Sequence, residues 1–264
     1  MRKISDLDRI IRETALRKQR AAQMRSAGTP EGFEEPSTVY QAACAVIGQG
    51  LATEGFRYAK SGPRLTRKAA EFTHQVSFQS SHNNVRGEFI ALWIHAIVLS
   101  RAVKAWRQGY DPQTSWDFVA GGQIGNLDPQ PGWSEWNLAD PQGRPAAIDD
   151  AIGTIRSTAL PFFALFTDRS SALKTLDQWP KPGIEIVPAI ELALSYDDRP
   201  RAQSLLKRFF DARQDLLPEY HAKLVEFRTS GLPPYRDTAY GAVLARATNT
   251  IWPLSDLGCR LTCA

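Results

Sequence analysis

Glu71-Phe72-Thr73-His74-Gln75-Val76-Ser77-Phe78-Gln79, followed by Glu88-Phe89-Ile90-Ala91-Leu92-Trp93-Ile94-His95-Ala96-Ile97-Val98, is the stretch whose reading decides the fold. In the first segment Phe72, His74, Val76 and Phe78 alternate with Thr73, Gln75, Ser77 and Gln79. A strand turns successive side chains to opposite faces, so this alternation predicts a half-buried antiparallel strand with one core face and one wet face. The second segment is apolar in both sets of alternate positions, with Phe89, Ala91, Trp93 and Ile97 in one and Ile90, Leu92, Ile94 and Val98 in the other. It predicts a central strand covered on both sides. Between them, Ser80-Ser81-His82-Asn83-Asn84-Val85-Arg86-Gly87 is rich in residues that bond their own backbone and tolerate left-handed conformations, which predicts a hairpin loop.

Upstream of this hairpin, residues 56–59 and 64–67 read as a first short strand pair around Ser61-Gly62-Pro63. Before it a helix starts after Ser37, a fitting N-cap, turns Val39, Ala42, Ala43, Val46, Ile47 and Leu51 toward the core, and stops at Gly55. Residues 4–27 predict a solvated helix with a narrow apolar stripe of Ile4, Leu7, Ile10, Ile11 and Leu16, joined by a Gly/Pro/Glu linker at 28–36.

Downstream, residues 100–108 form a short helix or a strand extension anchored by Trp106, and the loop-rich segment 110–145 holds two candidate strands, 123–127 and 134–139. Gly121-Gly122-Gln123-Ile124-Gly125 lacks both the Gly-Lys-Ser/Thr ending of a phosphate loop and the spacing of a dinucleotide fold, so it reads as a bulge or turn. Ile148, Ile152, Ile155, Ala159, Phe162 and Phe166 recur at helical spacing, with a kink or a second helix start expected at Pro161. Consecutive helices follow at 170–179, 186–196, 200–216, 218–229 and 235–250. The whole predicts an α+β protein: an antiparallel sheet of about four to six strands packed with helices, followed by a helical C-terminal part. Its expected divisions are a basic helix and linker at 1–36, an α+β domain at 37–180 and a helical subdomain at 181–264.

A 43% hydrophobic content over 264 residues suffices for a real core. Residues 1–25 carry eight Lys or Arg against three Asp or Glu, a net +5 that accounts for the whole-chain +4. The basic balance thus reads as an N-terminal property, and that helix lacks the interleaved aromatics that stack on bases. Cys44 sits among apolar helical residues as a buried free thiol, while Cys259 and Cys263 lack the second pair of ligands a zinc site needs. Neither a membrane span nor a signal peptide is expected, and a reducing cytoplasm fits this cysteine usage.

Gly55-Phe56-Arg57-Tyr58, Phe78-Gln79-Ser80-Ser81, Trp106-Arg107, Trp133 and Trp136, and Leu160-Pro161-Phe162, in this order, resemble the bacterial domain of unknown function 4304 family over about residues 38 to 180. The resemblance implies an α+β domain in the bacterial cytoplasm. Some relatives are thought to be immunity or defence-neighbourhood proteins, which implies a protein-binding role. The charged N-terminal helix and the helices after residue 180 are additions to that pattern.

No metalloprotease, nucleophile-elbow or Asp-rich metal-loop motif occurs, so the sequence singles out no catalytic, cofactor-binding or metal-ligating residue. His74 and His95 read as core histidines able to approach each other across paired strands, His82 as a loop residue and His221 as surface polarity. A polar surface remains for a partner: Gln75 and Gln79 on the strand, Ser81, His82, Asn83 and Asn84 in the loop, with Trp116 and Trp133 as aromatic anchors of the kind interfaces favour. The expected function is binding of another protein in a bacterial cytoplasm, in its sharpest version neutralisation of a toxin by blocking it. Two alternatives stand beside it. One is an unrecognised hydrolase or nuclease-like enzyme drawing on His74, His82, Glu88 and Asp residues; the other is a nucleic-acid-binding protein using the basic N-terminal helix.

Overall fold

A computed structural model describes residues 34–109 and 112–230 together with Arg12, Ala15, Leu16, Lys18, Gln19, Arg20, Ala22 and Gln23. Most of the predicted helix at 4–27, the helix at 235–250, Cys259 and Cys263 lie outside the described residues. Those described between 12 and 23 are helical and exposed, Leu16 included.

Helix α1 spans Pro36–Gly50 and buries Val39, Ala43 and Ile47 at a spacing of four, with Cys44 beside them. Its start lies ahead of Ser37, because Pro36 occupies the first turn, where a missing N–H costs nothing, and Glu35 becomes the N-cap without a side-chain bond. Ala42 and Val46, expected on the core side, lie off the buried row of Val39, Ala43 and Ile47 and are exposed.

Strands β1 (Arg57–Ala59) and β2 (Arg64–Ala69) pair antiparallel, with Arg57 opposite Thr66, Tyr58 opposite Leu65 and Ala59 opposite Arg64. Strand β3 runs Phe72–Gln79 and strand β4 Ala91–Ser100. With β5 (Phe118–Gln123) they form an antiparallel sheet in the order β1-β2-β3-β4-β5, and β6 (Trp136–Asn137) pairs with the start of β4. The α+β reading therefore holds. Burial in β3 alternates strictly, Phe72, His74, Val76 and Phe78 inside, as the sequence predicts.

Strand β4 is central but begins later than expected and is not covered on both sides. Leu92, Ile94, Ala96 and Val98 are buried, whereas Trp93, His95 and Ile97 are only half-buried. Residues 88–90 belong instead to the hairpin loop, closed by a bridge between Val85 and Phe89. Gly121 in β5 adopts φ +139°, and a Cβ there would stand 2.2 Å from the carbonyl oxygen of Ala96. This close strand approach explains Gly121; the chain then turns through a short 3₁₀ segment at Ile124–Leu127, where the sequence predicts a strand.

Among the described residues the chain divides into two compact units. The first comprises residues up to Lys68, Thr73–Ile97 and Gly121–Ala164; the second, Ala69–Phe72, Val98–Ala120 and residues from Leu165 onward. In the first, α1 packs on β1 and on α3 (Arg144–Thr154). A π-helical turn, Ile155–Ala159, leads into α4 (Leu160–Ala164). Of the two outcomes expected at Pro161, the structure shows the second start: α4 begins at Leu160, after a wide turn in which the Leu160 N–H bonds the Ile155 carbonyl.

In the second unit, α2 (Arg101–Gln108) is capped by Ser100, whose hydroxyl accepts from the Val103 N–H. Trp106 is not its anchor: Val103 and Arg107 are the buried residues. Helices α5 (Arg169–Asp177), α6 (Ile186–Ser195), α7 (Arg199–Ala212) and α8 (Leu217–Ser230) follow. Helix α6 packs on both α2 and α7. This packing carries Glu191 to Arg107, which is 1% exposed and binds it through Nε at 3.0 Å and through Nη2. Arg107 Nη1 donates to the carbonyls of Trp116 and Phe118, so each nitrogen of the buried guanidinium has an acceptor.

Candidate functional site

Strand parity assigns the side chains of the first unit to two sheet faces. On the inner face, His74 stacks on Phe163 at 4.7 Å with the rings 6° apart, and its Nδ1 lies 3.2 Å from Arg67 Nη2. Phe56 packs on the same Phe163 at 6.1 Å. Arg67 donates to the Glu54 carbonyl, lies over the Phe56 ring and has its pKa lowered by burial. His74 is thus a satisfied core histidine, as expected. Cys44 is buried in the same unit, where desolvation pushes its thiol up to about 12.

The outer face is where polar and aromatic groups meet solvent. Lys68 donates to Thr73 Oγ1 at 2.7 Å and Gln75 Nε2 to Ser77 Oγ at 2.7 Å. Further along β3, Gln79 Oε1 lies 3.1 Å from His95 Nε2. His95 and Trp93, two residues apart on β4, both sit edge-on to Trp133, at 6.5 and 5.7 Å. Trp93 Nε1 donates to Glu135 Oε2 at 2.8 Å, and Gln123 Nε2 donates to the Ser134 carbonyl, so both strands hold the loop bearing Trp133. Trp133 itself remains 49% exposed. Burial lowers the pKa of His95, because the charged imidazolium loses water there.

Of the residues chosen from sequence, Gln75, Gln79 and Trp133 therefore share this face. His95 does as well, contrary to its reading as a core residue, and it lies on the opposite face from His74; the two do not meet. In the hairpin loop His82 is exposed, while Ser81 Oγ accepts from the Asn83 N–H and Asn83 is buried. Asn84 Nδ2 donates to Ser80 Oγ and its Oδ1 accepts from the Ala91 N–H. These contacts commit the Asn84 side chain to shaping the loop, and burial withdraws Asn83 from the surface. Trp116 is 48% exposed in the second unit, stacked on Phe118 at 6.1 Å with Arg107 lying over its ring.

Trp93, His95 and Glu135 belong to the face although they were not chosen from sequence. The signal for Trp93 and His95 was present, since they share one parity on β4; its meaning depended on which parity faced the helices. For the enzyme alternative, His74 is held by Arg67 and Phe163, and Glu88 pairs with Arg20 at 2.9 Å. Among the described residues, no group of three or more His, Cys, Asp or Glu gathers to hold a metal ion, and no helix is long and apolar enough to cross a membrane. No family model, no curated protein and no solved structure matches the chain.

Proposed function

We propose that the protein acts by binding another protein, through the outer sheet face of its first unit, in the bacterial cytoplasm. One observation carries this reading: a half-exposed Trp133 pinned edge-on against Trp93 and His95, beside the hydrogen-bonding side chains Gln75, Ser77 and Gln79. A rigid aromatic anchor loses little entropy on binding, and a surrounding ring of short polar groups lets a partner satisfy its own polar atoms. Neutralising a toxin by covering its active surface is the sharpest form of such a role, since blocking demands complementarity and no chemistry from the blocker.

The test is capture from nuclease-treated host lysate with the tagged full chain and its Trp133→Ala variant. A stoichiometric protein partner held by the wild type, and lost by at least about 2 kcal/mol in the variant, is the expected result. Turnover of a substrate by the purified chain without any partner would sink the proposal.

A further inference from the structure

The first hairpin, from Gly55 to Ala70, contains Arg57, Lys60, Arg64, Arg67 and Lys68 and no Asp or Glu. Arg67 turns inward to His74 and the Glu54 carbonyl. Register assigns three of the others: Arg57 lies opposite Thr66 and Arg64 opposite Ala59, on the parity that carries Lys68, while Tyr58 and Leu65 take the inner parity and Lys60 follows β1 in the turn. Arg57, Lys60, Arg64 and Lys68 are all exposed, and strands β1 to β4 contain no acidic residue. Among the described residues Arg57, Lys60 and Arg64 form no ion pair, unlike Arg86, Arg144 and Arg156, which pair with Glu35, Glu34 and Glu54. Unpaired cations therefore line one side of the face that ends, across β3, at Trp133.

Resting on the protein-binding reading, we infer that the partner presents an acidic surface, its carboxylates opposite Arg57, Lys60, Arg64 and Lys68 and its apolar contact on Trp133. A cationic rim beside an aromatic anchor is the arrangement that speeds encounter and fixes orientation. Single-stranded nucleic acid fits the face less well. It needs open rings to stack on and a groove free of negative charge, whereas Trp93 and His95 are half-covered beside Trp133, and the Glu135 carboxylate stands at the aromatic cluster.

The experiment titrates the full chain with poly-L-glutamate and, separately, with oligothymidylate, at low salt and at about 0.15 M salt, following tryptophan fluorescence and anisotropy. The variants are Arg57→Glu/Arg64→Glu, Trp133→Ala, and the exposed pair Arg12→Glu/Lys18→Glu as a control of equal charge change. Poly-L-glutamate is expected to bind the wild type with strong salt dependence. The hairpin pair should weaken it at least about tenfold, and the control pair clearly less. Equal weakening by both pairs, no effect of the hairpin pair, or no binding of poly-L-glutamate overturns the inference. If lysate capture still depends on Trp133 in that case, protein binding stands without the acidic partner. Tighter binding of oligothymidylate, abolished by Trp133→Ala, overturns both.

Discussion

At the scale of single residues, the largest consequence follows from Arg107. Its guanidinium is held by Glu191 and two backbone carbonyls inside the second unit. Truncating one member of such a pair leaves an uncompensated buried charge. Glu191→Leu should therefore destabilise the protein by about 3–5 kcal/mol, and Arg107→Met/Glu191→Leu by less than the sum of the single changes, measured by denaturant unfolding. His95 gives a pH signature. Its folded pKa lies below the ordinary imidazole value of about 6.5, so the unfolded chain binds the proton more readily. The stability it contributes is present above about pH 6.5 and is lost as the pH falls from there toward its folded value. The unfolding midpoint of wild type should drop relative to His95→Gln over that window; parallel curves would refute the assignment.

At the scale of elements, β3 was legible because one face met helices and the other met water, which imprints a period of two on the sequence. The sequence of strand β4 predicts double coverage because Trp93 and Ile97 are apolar, yet aromatic residues also line exposed interaction faces, and composition does not separate the two cases. The helix at 100–108 hid its anchor for a related reason: a buried arginine is recognisable only once its carboxylate partner, far away in sequence, is in place. Gly121 shows the opposite case, where a small residue reports a contact. Gly121→Ala puts a methyl group against the Ala96 carbonyl and strains a left-handed backbone, so it should cost roughly 2–4 kcal/mol. Unchanged thermal stability of that variant would mean that β4 and β5 are not held this closely.

At the scale of the whole molecule, stability and binding should separate. Trp133 is half-exposed and rests on its neighbours edge-on, so Trp133→Ala should shift unfolding by less than about 1 kcal/mol while removing the partner. A variant that unfolds wholesale would instead make Trp133 structural and void the binding test. Composition shows that a core exists, and periodicity shows the α+β class, the hairpin and the helices of the C-terminal part, because local burial repeats at 2 or 3.6 residues leave a pattern in the chain. It also placed Gln75, Gln79 and Trp133 as candidate contacts. Only the tertiary structure decided that Asn83 is buried and Asn84 serves the loop, that His74 and His95 lie on opposite faces, and that the cations of the first hairpin join Trp133 on one surface. Those outcomes depend on strand register and on which parity the helices cover, and both are fixed by contacts between residues far apart in sequence.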